Sequence, residues 1–234
     1  MSVFIRFEDV TKTYKMASGP VHALQGLNFE INEGEFVVIV GPSGAGKTTL
    51  LNLLGGMDRA TSGTMMVDGA DVAKYNEIKL TKYRRDMVGF VFQFYNLMPN
   101  LTALENIELA VEIRKDSLKP IEVLEQVGLL ERKNNFPSQL SGGEQQRVSI
   151  ARSVAKNSKI ILCDEPTGAL DYETGKKILK LLHDLNREHK RTIILVTHNS
   201  ALKEMADKVI TIKNGKAEEV AINDNPKSIE EIEW

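Results

Sequence analysis

The chain has 234 residues, 42% hydrophobic and 26% charged, a balance that supports a packed core and excludes a disordered or fibrous chain. Thirty basic residues against 32 acidic ones leave a formal net charge of −2, which excludes the broad positive face of a protein that binds nucleic acid or anionic lipid. The single cysteine, Cys163, lies in an apolar run, and there is neither a signal-like N-terminus nor a stretch of about 18 apolar residues, so a reducing compartment and no direct membrane insertion are expected.

Leu27, Phe29 and Ile31 alternate with Asn28, Glu30 and Asn32, the period of a sheet with one solvated face, so the first 40 residues read as strand. Asn32, Glu33 and Gly34 then supply a turn. Phe36–Val40 is a continuous β-branched run suited to a strand buried on both faces. It leads into Gly41, Ser43, Gly44, Ala45, Gly46, Lys47 and Thr48, a Gly-x-x-x-x-Gly-Lys-Thr loop that opens at Thr49 into a helical run through Leu54. Glycines let successive backbone N–H groups turn toward phosphate oxygens, and the helix N-terminus adds partial positive charge. Lys47 is then expected to reach the β and γ phosphates, leaving Thr48 to hold Mg²⁺.

From residue 94 to 157 the pattern becomes helical. Thr102 and Glu105 read as a capping box ahead of Leu104, Ile107 and Val111, and Pro120 can open a second helix that stops at Gly128. Ser141 and Glu144 form another capping box, ahead of Val148, Ile150 and Ala151, which leaves Gly142 and Gly143 unexplained. A serine hydroxyl and two unencumbered amides at a helix N-terminus make a second anion site, as expected for a nucleotide clamped from both sides.

Two further strand runs follow, Lys159 to Cys163 and Thr192 to Thr197, with Ile178, Leu181, Leu182 and Leu185 at helical spacing between them. This βαβ rhythm implies a parallel sheet. Asp164 and Glu165 close the first run, at the carboxyl end of a strand, where open α/β sheets bind ligands. Asp164 is expected to orient Mg²⁺ through its water shell, and Glu165 to accept the proton of a water attacking the γ phosphate. Val209 to Lys213, Asn214-Gly215 and Lys216 to Val220 read as a final hairpin, and the acidic tail to Trp234 carries no recognisable chemistry.

Leu140-Ser-Gly-Gly-Glu-Gln-Gln-Arg147 is where the sequence resembles the nucleotide-binding subunits of ATP-binding cassette (ABC) transporters, a resemblance that spans about residues 3 to 220. This segment is similar to the family signature, and other stations match in order: Tyr14 where the family stacks an aromatic on adenine, Gln93 as the Q-loop glutamine, Asp171 in the D-loop and His198 as the switch histidine. The resemblance implies an α/β P-loop NTPase core with a mainly parallel sheet, an N-terminal antiparallel β subdomain and an inserted helical signature subdomain. It divides the single domain 1–234 into a core of 1–93 and 158–220, the helical part 94–157 and a tail, 221–234.

Functionally, the resemblance implies a head-to-tail homodimer around two ATP molecules with Mg²⁺. Each site would join the phosphate loop of one subunit to Ser141, Gly142, Gly143 and Glu144 of the other. Gln93 would link metal and attacking water to the partner interface, Asp171 would cross the dimer, and His198 would contact the γ phosphate. A histidine there can donate a hydrogen bond to developing charge without acting as base. The subunit would sit on the cytoplasmic face of the membrane through a permease docked near Gln93 to Pro99, with Phe94, Tyr95, Leu97 and Met98 receiving a short helix.

Met57 to Gly63 and Gly89 to Pro99 look like the branch containing macrolide exporters, lipoprotein-releasing complexes and antimicrobial-peptide detoxification systems. Ala45 and Gly168 depart from serines common in the family, but neither change removes a catalytic group. A small-molecule P-loop kinase shares the phosphate loop and lacks the signature. A cassette ATPase acting on nucleic acid or ribosomes typically carries tandem cassettes, long coiled coils or basic extensions, which are not seen here.

Overall fold

The computed structural model describes residues 2–112, 114 and 116–233, so Trp234, the last residue of the expected tail, lies outside the described residues. Two sheets organise the fold. Strands β1 (Val3–Met16), β2 (Gly19–Asn32), β4 (Ser62–Val67) and β5 (Ala70–Asp71) form an antiparallel sheet in the order β2-β1-β4-β5. Strands β3 (Phe36–Val40), β6 (Val88–Phe92), β7 (Ile160–Asp164), β8 (Thr192–Thr197), β9 (Lys208–Lys213) and β10 (Lys216–Ile222) form the second, in the order β10-β9-β3-β8-β7-β6. Every pairing in it is parallel except the expected β9–β10 hairpin.

The central strands are buried on both faces because each face meets a different layer. Val37, Ile39, Leu162, Ile194 and Val196 pack under the antiparallel sheet and helix α1 (Lys47–Leu54), together with Leu27 and Ile31 of β2. Val38, Val40, Ile161, Cys163 and Leu195 face the helical layer instead. That layer comprises α3 (Ala103–Val111), α4 (Pro120–Gln126), α5 (Gly142–Ala155) and α6 (Tyr172–His189). Burial of each such side chain is worth about 1.5–3 kcal/mol, which is why an unbroken apolar run can occupy a central strand.

The expected caps form. Thr102 and Glu105 bond reciprocally at the start of α3, Ser141 and Glu144 do so at α5, and Pro120 is the first residue of α4. Helix α2 (Glu77–Asp86) joins the antiparallel sheet to β6 and buries only Leu80 and Tyr83. The tail is more than an acidic extension: Ile229 and Ile232 enter the core beside α6, and Lys176 of that helix donates to Glu230 O. Among the described residues, no helix is long and apolar enough to cross a membrane.

One edge of the parallel sheet is closed by side chains. Strand β6 is terminal in the order, and its carbonyls at Val88, Phe90 and Phe92 accept from Lys156 (2.6 Å), Ser153 (2.8 Å) and Gln146 (3.3 Å). All three donors belong to α5 or its C-cap, so the helix occupies a strand edge that would otherwise recruit another strand.

Candidate active site

The strand order places the predicted residues side by side. Val40 pairs with Thr197, Val196 with Asp164, and Asp164 with Phe92, so the carboxyl ends of β3, β8, β7 and β6 fall in one row. The glycine loop follows β3, His198 follows β8, Glu165 follows β7 and Gln93 follows β6. Residues spread from 41 to 198 in sequence thus share one end of the sheet.

In the loop, Gly46 caps α1 in the left-handed region at φ +104°, and Lys47 is buried at 9% exposure. Its ammonium donates to Gly41 O (2.7 Å) and Pro42 O (3.1 Å), folding across the loop. Thr48 hydrogen-bonds the Asp164 carboxyl, which burial and then the charge of Glu165 push above the ordinary carboxylate range, against the pull of Lys47. The Thr48 hydroxyl and the Asp164 carboxylate are hard oxygen donors, and the elevated carboxyl is one that a cation would relieve. The pair therefore fits Mg²⁺, which takes few protein ligands beside substrate phosphates. Among the described residues no cluster of three His, Cys, Asp or Glu side chains forms a metal cage of its own.

Glu165 adopts φ +47° directly before Pro166, a left-handed turn that costs a residue with a Cβ about 1–2 kcal/mol. Its N–H donates to Val196 O (2.9 Å) and its carbonyl accepts from Gly168 N (3.0 Å). The carboxylate accepts from Thr197 (3.1 Å) and lies 2.8 Å from His198 Nδ1. Glu165, Gly168, Asp171 and His198 line one open polar pocket. Gln93 approaches it from β6: a Cβ on Gly168 would lie 2.9 Å from the Gln93 Nε2, so the glycine leaves room for that amide.

Tyr14 donates to Asp58 (2.8 Å) and hydrogen-bonds Thr49 at the start of α1. Burial and the Asp58 bond raise its phenol pKa, and the Lys12 ammonium, held by Asp58 at 2.5 Å, lies 4.8 Å from the ring centre. The tyrosine thereby has one fixed orientation beside the loop.

The signature glycines also have a local packing role: a Cβ on Gly143 would lie 2.3 Å from Thr174 Cγ2, and one on Gly142 would lie 2.7 Å from the Tyr95 hydroxyl. Both glycines admit neighbours of the same chain. Ser141 remains exposed, Glu144 is closed on the cap and 3.3 Å from Arg132, and Asp171 caps α6 by accepting from Thr174 N (3.0 Å). Among the described residues no hydrogen bond joins Ser141, Gly142, Gly143 or Glu144 to residues 41–49 of the same chain.

The four residues expected to receive a partner helix divide. Phe94 and Met98 are 73% and 47% exposed, whereas Leu97 packs on the core and Tyr95 turns toward Gly142. Arg152 holds the Tyr95 and Asn96 carbonyls, and Asn106 holds both backbone groups of Met98. Sequence reasoning passed over Thr197 and Asp58, which hydrogen-bond Glu165 and Tyr14, and Gln146, which holds the carbonyls of Phe92 and Pro166 next to Gln93 and Glu165. A signal existed for Gln146: it shares the buried face of α5 with Ser149, Ile150 and Ser153, where a polar side chain requires partners.

A Methanocaldococcus jannaschii protein described as an uncharacterized ABC transporter ATP-binding protein is 47% identical over 223 residues, 92% of this chain and 95% of its own. Macrolide export ATP-binding/permease protein MacB of Escherichia coli is 41% identical over 237 residues, which cover 99% of this chain and 36% of MacB. The chain likewise spans about half, 46%, of two Mycoplasma relatives. The dimeric post-hydrolysis structure of the ATP-binding cassette MJ0796 bound to ADP and Pi superimposes with a TM-score of 0.85 at 43% identity, covering 93% of this chain and 98% of that one. The family described as ABC transporter matches residues 24–168 and therefore includes the Lys47 loop, the signature and Asp164–Glu165: the chain belongs to the ABC transporters, as an ATP-binding domain.

Proposed function

We propose that this chain hydrolyses ATP as the motor of a membrane transporter. One observation carries the reading: a single sheet end brings together the Lys47 loop, the Thr48–Asp164 pair, Glu165, His198 and Gln93. Lys47 binds the β and γ phosphates, and Tyr14 orients the base. Glu165, restrained by Thr197 and His198, takes the proton of the attacking water, while His198 donates toward the γ phosphate. Mg²⁺ bound with ATP would be held by Thr48 and Asp164, with Gln93 beside it, and supplies charge neutralisation on the phosphates.

The catalytic unit is a head-to-tail homodimer. Exposed Ser141 and the signature N-terminus do not bond their own loop, and the matching MJ0796 structure is dimeric, which supports a site completed by the second copy. Asp171 and Gln93 line the face this copy would meet. A separate permease docks at Phe94 and Met98 and keeps the motor at the cytoplasmic face of the membrane. The likeness to MacB supports export or extraction of a drug, peptide or lipid-linked substrate. The test is phosphate release from Mg-ATP by the purified chain alongside ATP-dependent dimerisation. Absence of both in protein that binds ATP would overturn the reading.

A further inference from the structure

Gln146 is fully buried, yet it is polar and lies on the core face of the signature helix α5. Its amide donates twice: to Phe92 O at 3.3 Å, one residue before Gln93, and to Pro166 O at 2.7 Å, one residue after Glu165. The Oε1 atom of the same amide is buried without a hydrogen-bond partner. An apolar side chain of similar size would carry no unsatisfied acceptor, so what the amide contributes at this position is the two bonds it donates.

Those bonds are placed where backbone geometry is demanding. The Glu165–Pro166 turn contains a left-handed glutamate, and Pro166 has no N–H through which the turn could be tied to its neighbours. Ser153 and Lys156 also fasten α5 to β6, but their acceptors, Phe90 and Val88, lie farther from the site. Gln146 alone among these three donors reaches both the β6 end and the turn after β7.

We propose that Gln146 is a positioning residue that yokes the signature helix to the turn carrying Glu165, so that the placement of α5 sets the glutamate's position relative to Gln93. This rests on the ATPase reading above. Neither donated bond involves the Lys47 loop, so the yoke acts on the rate of hydrolysis and leaves ATP affinity alone.

The experiment compares wild type with Gln146→Met, which keeps volume but removes the donors, and Gln146→Glu, which keeps shape but presents oxygen to both carbonyls. Thermal unfolding, ATP affinity, ATP-driven dimerisation, kcat and KM are measured on the full chain. Both variants are expected to bind ATP and dimerise normally, with kcat lowered about 10- to 100-fold, the worth of a displacement near 1 Å. An unchanged kcat in either folded variant would overturn the proposal. Parallel losses of unfolding temperature, affinity and kcat in both variants would overturn it too, by making Gln146 a structural residue only. Wild type that binds but does not hydrolyse Mg-ATP would instead overturn the ATPase reading and the yoke with it.

Discussion

Glu165 Oε1 lies 2.8 Å from Nδ1 of His198, while the other carboxylate oxygen accepts from Thr197 one residue earlier on the same strand end. The glutamate is thus oriented from β8 although it belongs to the turn after β7. With Nδ1–H donating to Glu165, the 71% exposed imidazole can donate a second hydrogen bond, through Nε2, only as the imidazolium ion.

Glu165→Gln keeps side-chain size and removes the base. ATP binding is expected to persist while turnover falls about 10²- to 10⁴-fold, and the dimer should accumulate with ATP trapped. Phosphate release and equilibrium nucleotide binding measured on the same preparation check this. Near-normal hydrolysis would remove Glu165 from the base role.

The strands and caps that formed as expected are those with strong local causes: the buried run of β3, the alternation of β2, and the side chains of Thr102 and Ser141. Helix α2 and strands β4 and β5 carried no comparable signal. Two buried side chains over ten residues make a weak stripe, and β5 is only two residues long. Spacing and strand-end position marked the phosphate loop, Asp164, Glu165 and Ser141, whereas Tyr14, Gln93, Asp171 and His198 were expected only through the family resemblance. The groups that hold them in place were not recognisable, since Thr197, Asp58 and Gln146 act through tertiary contacts at sequence separations of 20 to 54 residues. The signature glycines show the same limit: Thr174, which lies against Gly143, is on another helix.

Lys47→Ala addresses binding rather than chemistry. The ammonium is already at the loop, on Gly41 O and Pro42 O, so a triphosphate gains it at little ordering cost. Removing it should weaken ATP affinity tenfold or more, about 1.4 kcal/mol per factor of ten. Calorimetric titration with ATP checks this, and unchanged affinity would count against the loop.

Asp164 gives a pH dependence. Its carboxyl, raised above 3.8 by burial and then by Glu165, binds a proton in the folded state over a range where the unfolded chain has lost it. Stability of the nucleotide-free protein therefore falls as pH rises from about 3.8 through the elevated value, and the penalty is complete above it. Asp164→Asn removes this titration. The variant should gain on wild type as pH rises through that window, while losing the extra stabilisation that Mg²⁺ adds to ATP. Denaturant titrations across acidic to neutral pH report the difference, and a pH-independent gap would contradict the assignment.

If each site is shared by two copies, Lys47→Ala spoils one half and Ser141→Arg the other. Neither homodimer has an intact site, whereas a mixed dimer rebuilds one and spoils the second. Mixing the two inactive variants should restore ATPase toward that of a single working site. Mixed dimers, demonstrated by differently tagged subunits, with no recovered hydrolysis would argue against composite sites or require both sites to act together. A wild-type subunit paired with the Lys47→Ala, Ser141→Arg double variant separates these outcomes, because it forms dimers with no intact composite site and should stay silent.

Exposure decides which residues of the segment after Gln93 can meet a permease. Phe94 and Met98 point outward, and each leaves an apolar side chain on a stretch fixed from beneath by Arg152 and Asn106. Tyr95 and Leu97 face inward. Phe94→Asp or Met98→Glu should leave thermal stability and basal ATPase within about 0.5 kcal/mol and twofold of wild type while abolishing co-purification with the membrane subunit. Leu97→Asp should instead unfold or strongly destabilise the chain, because it places a charge against the core. Melting temperature, basal hydrolysis and detergent co-purification measured together decide the matter. A Phe94→Asp, Met98→Glu protein that still holds its permease with full stimulation of ATPase would place the docking surface elsewhere.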